Sequence, residues 1–153
     1  MSKFKSLSKY WLVPVIWAGV IYFGSSDTGS AQRSSRLIAP VVRWLVPEIS
    51  DAALWRIVFA ARKGAHVTEY AVFAILVWWA LRHSTHPEQR TGWSKRHAGL
   101  AWALATLFAM SDELHQRFVP GRQGSPWDVI IDASGAALGL FVVWLIGRWR
   151  KVW

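Results

Sequence analysis

Six side chains that can move protons or ligate a cation lie within otherwise apolar stretches: His66, Glu69, Asp112, His115, Asp128 and Asp132. Their spacing is helical. Lys63, His66, Glu69 and Tyr70 follow one another at intervals of three and four, as do Asp112, His115 and Gln116, and such intervals stack side chains on one helix face. Asp128 and Asp132 continue into Gly135 and Gly139, a GxxxG step that lets a neighbouring backbone approach closely. A carboxylate and an imidazole on facing helices could act as general acid and base on a head group. Lys63 and Arg122 would then bind its anionic groups, while Tyr70, Gln116, Ser25 and Ser26 would orient the ligand. The same carboxylates and histidines form an oxygen and nitrogen set that suits a divalent metal, although no HExxH stands behind it. Neither a Gly-rich phosphate loop nor a GxSxG is present.

Each group also has an ordinary structural role open to it. Lys63 and Arg62 could snorkel to an interface, and His66 could be a hydrogen-bonded core residue. Asp112 and Asp128 could cap helices or pair with Arg117 or Arg122; Asp128 follows Pro126 in a first turn, where the helix dipole favours a carboxylate. Number argues against these roles as the whole account. One ionisable side chain near mid-membrane costs about 2.5–3.5 kcal/mol on insertion scales, so six are tolerated only as a paired network or a watered site.

The elements that must position these residues follow from the apolar runs. The 153 residues suit a single domain, 1–153; 53% are apolar, and the 12 Trp concentrate near the ends of apolar runs, as in an interfacial belt. The pattern predicts an all-α membrane protein of four transmembrane helices, over about 10–26, 62–82, 97–116 and 127–149. Between the first and second spans, residues 31–60 read as short interfacial or re-entrant helices, too short to cross. The N-terminus has the charge and apolar pattern of a signal peptide without a convincing cleavage site, which predicts an uncleaved first span. The absence of Cys excludes disulfides and thiolate chemistry. The net charge of +9 arises mostly from basic residues flanking apolar segments, which points to lipid head groups and away from nucleic acid.

Basic residues also give an orientation. Lys3, Lys5 and Lys9, then Arg82, Arg90, Lys95 and Arg96, then Arg148, Arg150 and Lys151 fall on one side of a four-span chain. The positive-inside rule makes that side, with both termini, cytoplasmic. Each polar cluster then lies in the outer half of its span, at the non-cytoplasmic face of an inner membrane.

The run Ser111-Asp-Glu-Leu-His-Gln-Arg-Phe-Val-Pro-Gly-Arg122, the stripe from Asp128 through Asp132 to Gly135 and Gly139, and Arg62-Lys-Gly-Ala-His66-Val-Thr-Glu69-Tyr70 resemble the signature of the VanZ-like family. Gly24-Ser-Ser is similar to a further family motif, in which Asp27 stands where the family has Gln. The resemblance implies a bacterial membrane protein, in a family named for a member linked to low-level resistance to teicoplanin, and it supplies no reaction. The reading that results is an envelope protein whose outer polar pocket recognises, and could modify, a lipid-linked or cell-envelope head group. Its partners would be membrane lipids and a lipid-linked envelope precursor or glycopeptide. The competing reading is a non-enzymatic binding or assembly module whose polar network is structural. An ion or proton pathway fits less well, because the opposite halves of the second and fourth spans lack carboxylates.

Overall fold

The computed structural model describes residues 3–26, 31–84, 92–120, 122 and 124–153, so Asp27 lies outside the described residues. Five helices account for the described fold: α1 (Lys3–Ser25), α2 (Ala31–Leu45), α3 (Asp51–Ser84), α4 (Lys95–Gln116) and α5 (Pro126–Trp149). Their starts are written locally. The Ser50 hydroxyl accepts from the Ala53 N–H at 3.3 Å, and Ser94 accepts from His97 N–H at 3.3 Å. Ser125 precedes Pro126, whose missing N–H costs nothing in a first turn.

The segment 31–60 differs from expectation. Its first half is the separate amphipathic helix α2, but its second half is the beginning of α3, which runs unbroken for 34 residues. Nothing between Asp51 and Lys63 interrupts the backbone, since no Pro or Gly occurs there. At 1.5 Å per residue α3 is about 51 Å long, well beyond a bilayer core of about 30 Å.

Two of the described helices, α3 and α5, are long and apolar enough to cross a membrane, where four spans were expected; the other three do not meet that test. In α4 the reason is visible, as Lys95, Arg96 and His97 open it and Ser111, Asp112, Glu113, His115 and Gln116 close it. Only about 13 apolar positions remain between, against about 20 for a span.

α3 is the hub, packing against each of the other four helices and most extensively against α5. The reason lies in α5: a β-carbon at Gly135 would stand 2.5 Å from the Val67 carbonyl oxygen, and one at Gly139 would stand 2.6 Å from that of Ala71. On α4, Ala101, Ala105 and Ala109 form a fully buried stripe of small residues at four-residue spacing. The core is completed by Tyr70, Phe73, Ala74, Val77 and Trp78 of α3 with Leu140 of α5. Large apolar side chains such as Leu12, Ile16, Phe23, Leu107, Phe141 and Ile146 face outward and exposed, the distribution expected of a bundle bathed in lipid.

Candidate polar site

The polar residues of four helices meet at one end of the bundle, in two layers. In the first, Asp112 of α4 is almost fully buried. The Ser25 hydroxyl, from the end of α1, donates to its Oδ2 at 2.6 Å, and Gln116 Nε2 donates to the same oxygen at 3.0 Å. The Gln116 amide also reaches Glu113 Oε1 at 3.4 Å, and Glu113 Oε2 accepts from the Ser125 backbone N–H at 2.7 Å. Gly124 is needed beside it, since a β-carbon there would collide with the Glu113 carbonyl oxygen. The loop from α4 to α5 is thus pinned to α4 by a buried carboxylate.

The second layer joins α3 to α5. Lys63 and Asp128 form an ion pair, each side chain about four-fifths buried, and Lys63 Nζ also stands 5.3 Å from the Phe59 ring centroid. One turn deeper, His66 Nδ1 is 3.4 Å from Asp132 Oδ1. That distance gives a Coulombic pair but not hydrogen-bond geometry, and neither oxygen of the fully buried Asp132 has a hydrogen-bond partner. Tyr70 is also fully buried, with its hydroxyl unpartnered, as is Asp112 Oδ1. Glu69 is half-buried, within electrostatic reach of His66, Asp132, Asp112 and Arg122. Trp17 holds the helix there by donating to the Glu69 carbonyl at 3.0 Å.

Arg122, in the loop, closes the end. It donates through Nη2 to the Gly24 carbonyl at 3.0 Å, while its Nε is buried and unpartnered. Burial lowers its proton affinity below that of an ordinary guanidinium, and the nearby positive charge of Arg62 acts in the same direction. A guanidinium starts so high that it stays charged at neutral pH.

Ten of the twelve expected site residues therefore gather: Ser25, Lys63, His66, Glu69, Tyr70, Asp112, Gln116, Arg122, Asp128 and Asp132. Two stand apart. Ser26 donates to the Tyr22 carbonyl at 3.1 Å within the last turn of α1. His115 turns toward α1, its ring stacked on that of Tyr22 with centroids 4.5 Å apart, and it makes no ion pair among the described residues. One turn from Asp112 along the chain did not mean the same face toward the acids. The pairing of Asp112 or Asp128 with Arg117 or Arg122 is not realised either, since Ser25, Gln116 and Lys63 take those places. Among the described residues no three His, Asp or Glu side chains lie close enough to hold one metal ion, so the divalent-metal set dissolves into pairs. Glu113 is the residue that spacing reasoning missed. Its signal was its position three before Gln116, the interval that brought the other pairs together.

The arrangement is acidic at its centre and basic at its rim. It offers carboxylates to donors such as hydroxyls or amines, and guanidinium groups to a phosphate. It also sets an imidazole 3.4 Å from a buried carboxylate, a pairing that could serve proton transfer.

The chain matches the family model VanZ/LLP1 over residues 10–147. No curated protein and no solved structure matches it. The match takes in all but the two ends of the chain, including every residue of the polar layers, and the protein belongs to the VanZ/LLP1 family.

Proposed function

From membership of the VanZ/LLP1 family, we propose that this protein crosses the bacterial inner membrane four times and uses its polar end to recognise a lipid-linked or cell-envelope head group. The observation that carries this reading is the unmet hydrogen-bonding capacity buried between α3, α4 and α5: both oxygens of Asp132, one of Asp112 and the Tyr70 hydroxyl. A buried polar group without a partner costs about 1–3 kcal/mol, and more when charged, so a structural network would be expected to satisfy itself. A ligand bearing hydroxyl or amine donors would meet these acceptors, with Lys63 and Arg122 near its anionic part. His66, held beside Asp132, is the group equipped for acid–base work if the head group is altered.

In this reading α1 and α4 complete the crossing although the apolar stretch of α4 is short, because Ser25, Asp112, Glu113 and Gln116 are buried against other helices. Both termini lie in the cytoplasm by the distribution of basic residues, and the polar end opens on the opposite side. The envelope location is the basis for expecting an effect on susceptibility to glycopeptides such as teicoplanin.

The test is substitution inside the pocket. Asp132→Asn, His66→Gln and Tyr70→Phe should each abolish complementation of a deletion strain while leaving the amount of folded protein in the membrane unchanged. Full complementation by all three at normal expression would sink the reading. The structural alternative has its own support, in the Ser25–Asp112–Gln116 and Lys63–Asp128 links that tie four helices together. It requires that loss of function track loss of folded protein.

A further inference from the structure

Beyond the polar end lies a long groove between α2 and the first three turns of α3. It has a volume of about 1160 Å³. α2 supplies a low floor at Ala39 and Pro40, and α3 supplies an apolar wall of Leu54, Trp55, Val58 and Phe59. The two helices run antiparallel here, because Arg43 near the end of α2 pairs with Asp51 at the start of α3 at 2.6 Å. That pair closes the cationic charge at the hairpin end. At the other end of the groove stand Arg36 and Arg62, which make no ion pair or hydrogen bond among the described residues. Arg62 directly precedes Lys63 and lies within electrostatic reach of Arg122. The free cationic end of the groove is therefore the end that abuts the polar site.

We infer that this groove holds an anionic phospholipid-like amphiphile, its hydrocarbon chain against the α3 wall and its phosphate between Arg36 and Arg62. Three observations select that occupant. First, the outer faces of the hairpin expose Leu37, Val41, Trp44 and Leu45 of α2 and Ile57 of α3, so the surface around the groove is itself apolar and suits an amphiphile better than a polar solute. Second, the wall is aliphatic and aromatic along its length. From Asp51 to Arg62 it measures roughly 16 Å at the helical rise, long enough to lie along much of a hydrocarbon chain. Third, two guanidinium forks without partners provide the paired donors that a phosphate takes best. The inference rests on the head-group reading of the polar end and narrows it: the ligand enters as a lipid phosphate, and its remaining head group reaches past Arg62 toward Asp132.

The experiment uses the full-length protein in nanodiscs containing a trace of phosphatidylglycerol with a photoreactive group in one acyl chain, or the same probe built on phosphatidylcholine. After irradiation, cross-links are mapped by mass spectrometry. Phosphatidylglycerol should label residues 54–59 and 36–40 in preference to phosphatidylcholine. The double variant Arg36→Gln, Arg62→Gln should reduce that labelling about ten-fold, as expected for loss of two solvent-exposed ion pairs. Ala39→Trp, which fills the groove and keeps both arginines, should displace the labelling with equal effect. Equal labelling by both lipids, labelling that ignores both variants, or cross-links confined to other helices would overturn the proposal. Asp132→Asn, which alters the polar end alone, should leave groove labelling intact. Its complementation result therefore reports on the head-group reading separately.

Discussion

The two ends of this bundle treat charge in opposite ways. At the end opposite the acidic site, cations rest on aromatic faces: Arg82 lies 5.4 Å from the Trp78 ring and 5.3 Å from that of Trp153, and Arg148 lies 5.8 Å from Trp144. Trp93 and Trp153 complete the cluster, and Trp153 folds back over Gly147 to donate to the Trp144 carbonyl at 3.1 Å. Trp11 reaches Ser84 at 3.2 Å to fasten α1 to the end of α3. At the other end carboxylates outnumber the cations that touch them, and several buried oxygens have no partner. The aromatic end uses charge to hold helices together. The acidic end buries polar oxygens that no neighbour satisfies, a cost to the fold that the proposed head-group site would account for.

That contrast can be broken in several places. The largest expected effect is at the α3–α5 contact, which both ends share. Gly135→Leu or Gly139→Leu would drive a side chain into the α3 backbone, lowering stability by about 3 kcal/mol each or preventing assembly, as read by thermal unfolding in detergent. A fold that accepts either change at wild-type stability would contradict the close approach.

Next comes Lys63→Met, which leaves Asp128 without its ammonium in a mostly buried position and should cost about 2 kcal/mol. Adding Asp128→Asn should recover most of that loss. A double variant no better than the single one would mean that the pair is only a solvated contact.

At the aromatic end, Trp153→Ala should cost about 1 kcal/mol through lost packing on Gly147 and Arg82, with complementation unaffected. Loss of function there, without loss of folded protein, would erase the distinction between the ends.

The smallest effect on stability, and the most telling, is Asp132→Asn. Replacing a buried carboxylate that accepts no hydrogen bond, and pairs only with His66 among the described residues, with a neutral amide should leave stability unchanged or raise it by up to about 1 kcal/mol, while complementation is lost. Stability that falls steeply would assign Asp132 to the structural network instead.

Orientation has a direct test because the chain has no Cys. A single cysteine at Ser26 should react with a membrane-impermeant maleimide in intact cells, and one at Lys95 should react only after permeabilisation. The reverse pattern would invert the arrangement and turn the acidic end toward the cytoplasm.

Much of this was legible in the chain itself. Intervals of three and four put Lys63, His66 and Glu69 on one helix face, and the Gly135–Gly139 step marked where some neighbouring backbone would come close, because helix periodicity and the lack of a β-carbon are local facts. The helical character followed from the same local rules, and the convergence of the polar residues at one end was expected from the alternating directions of successive helices. Three things were decided only by the tertiary structure. α3 extends back to Asp51 with Leu54 and Val58 buried in the assembled fold, whereas an apolar count marks only its later part. His115 faces Tyr22 and not the carboxylates, because the rotation of α4 is set by its buried alanine stripe and not by the spacing of its polar residues. Asp128 takes Lys63 and Asp112 takes Ser25 from among several equally spaced candidates. Partner choice depends on which helices adjoin and at what depth, and that is a property of the assembled bundle that no single helix carries.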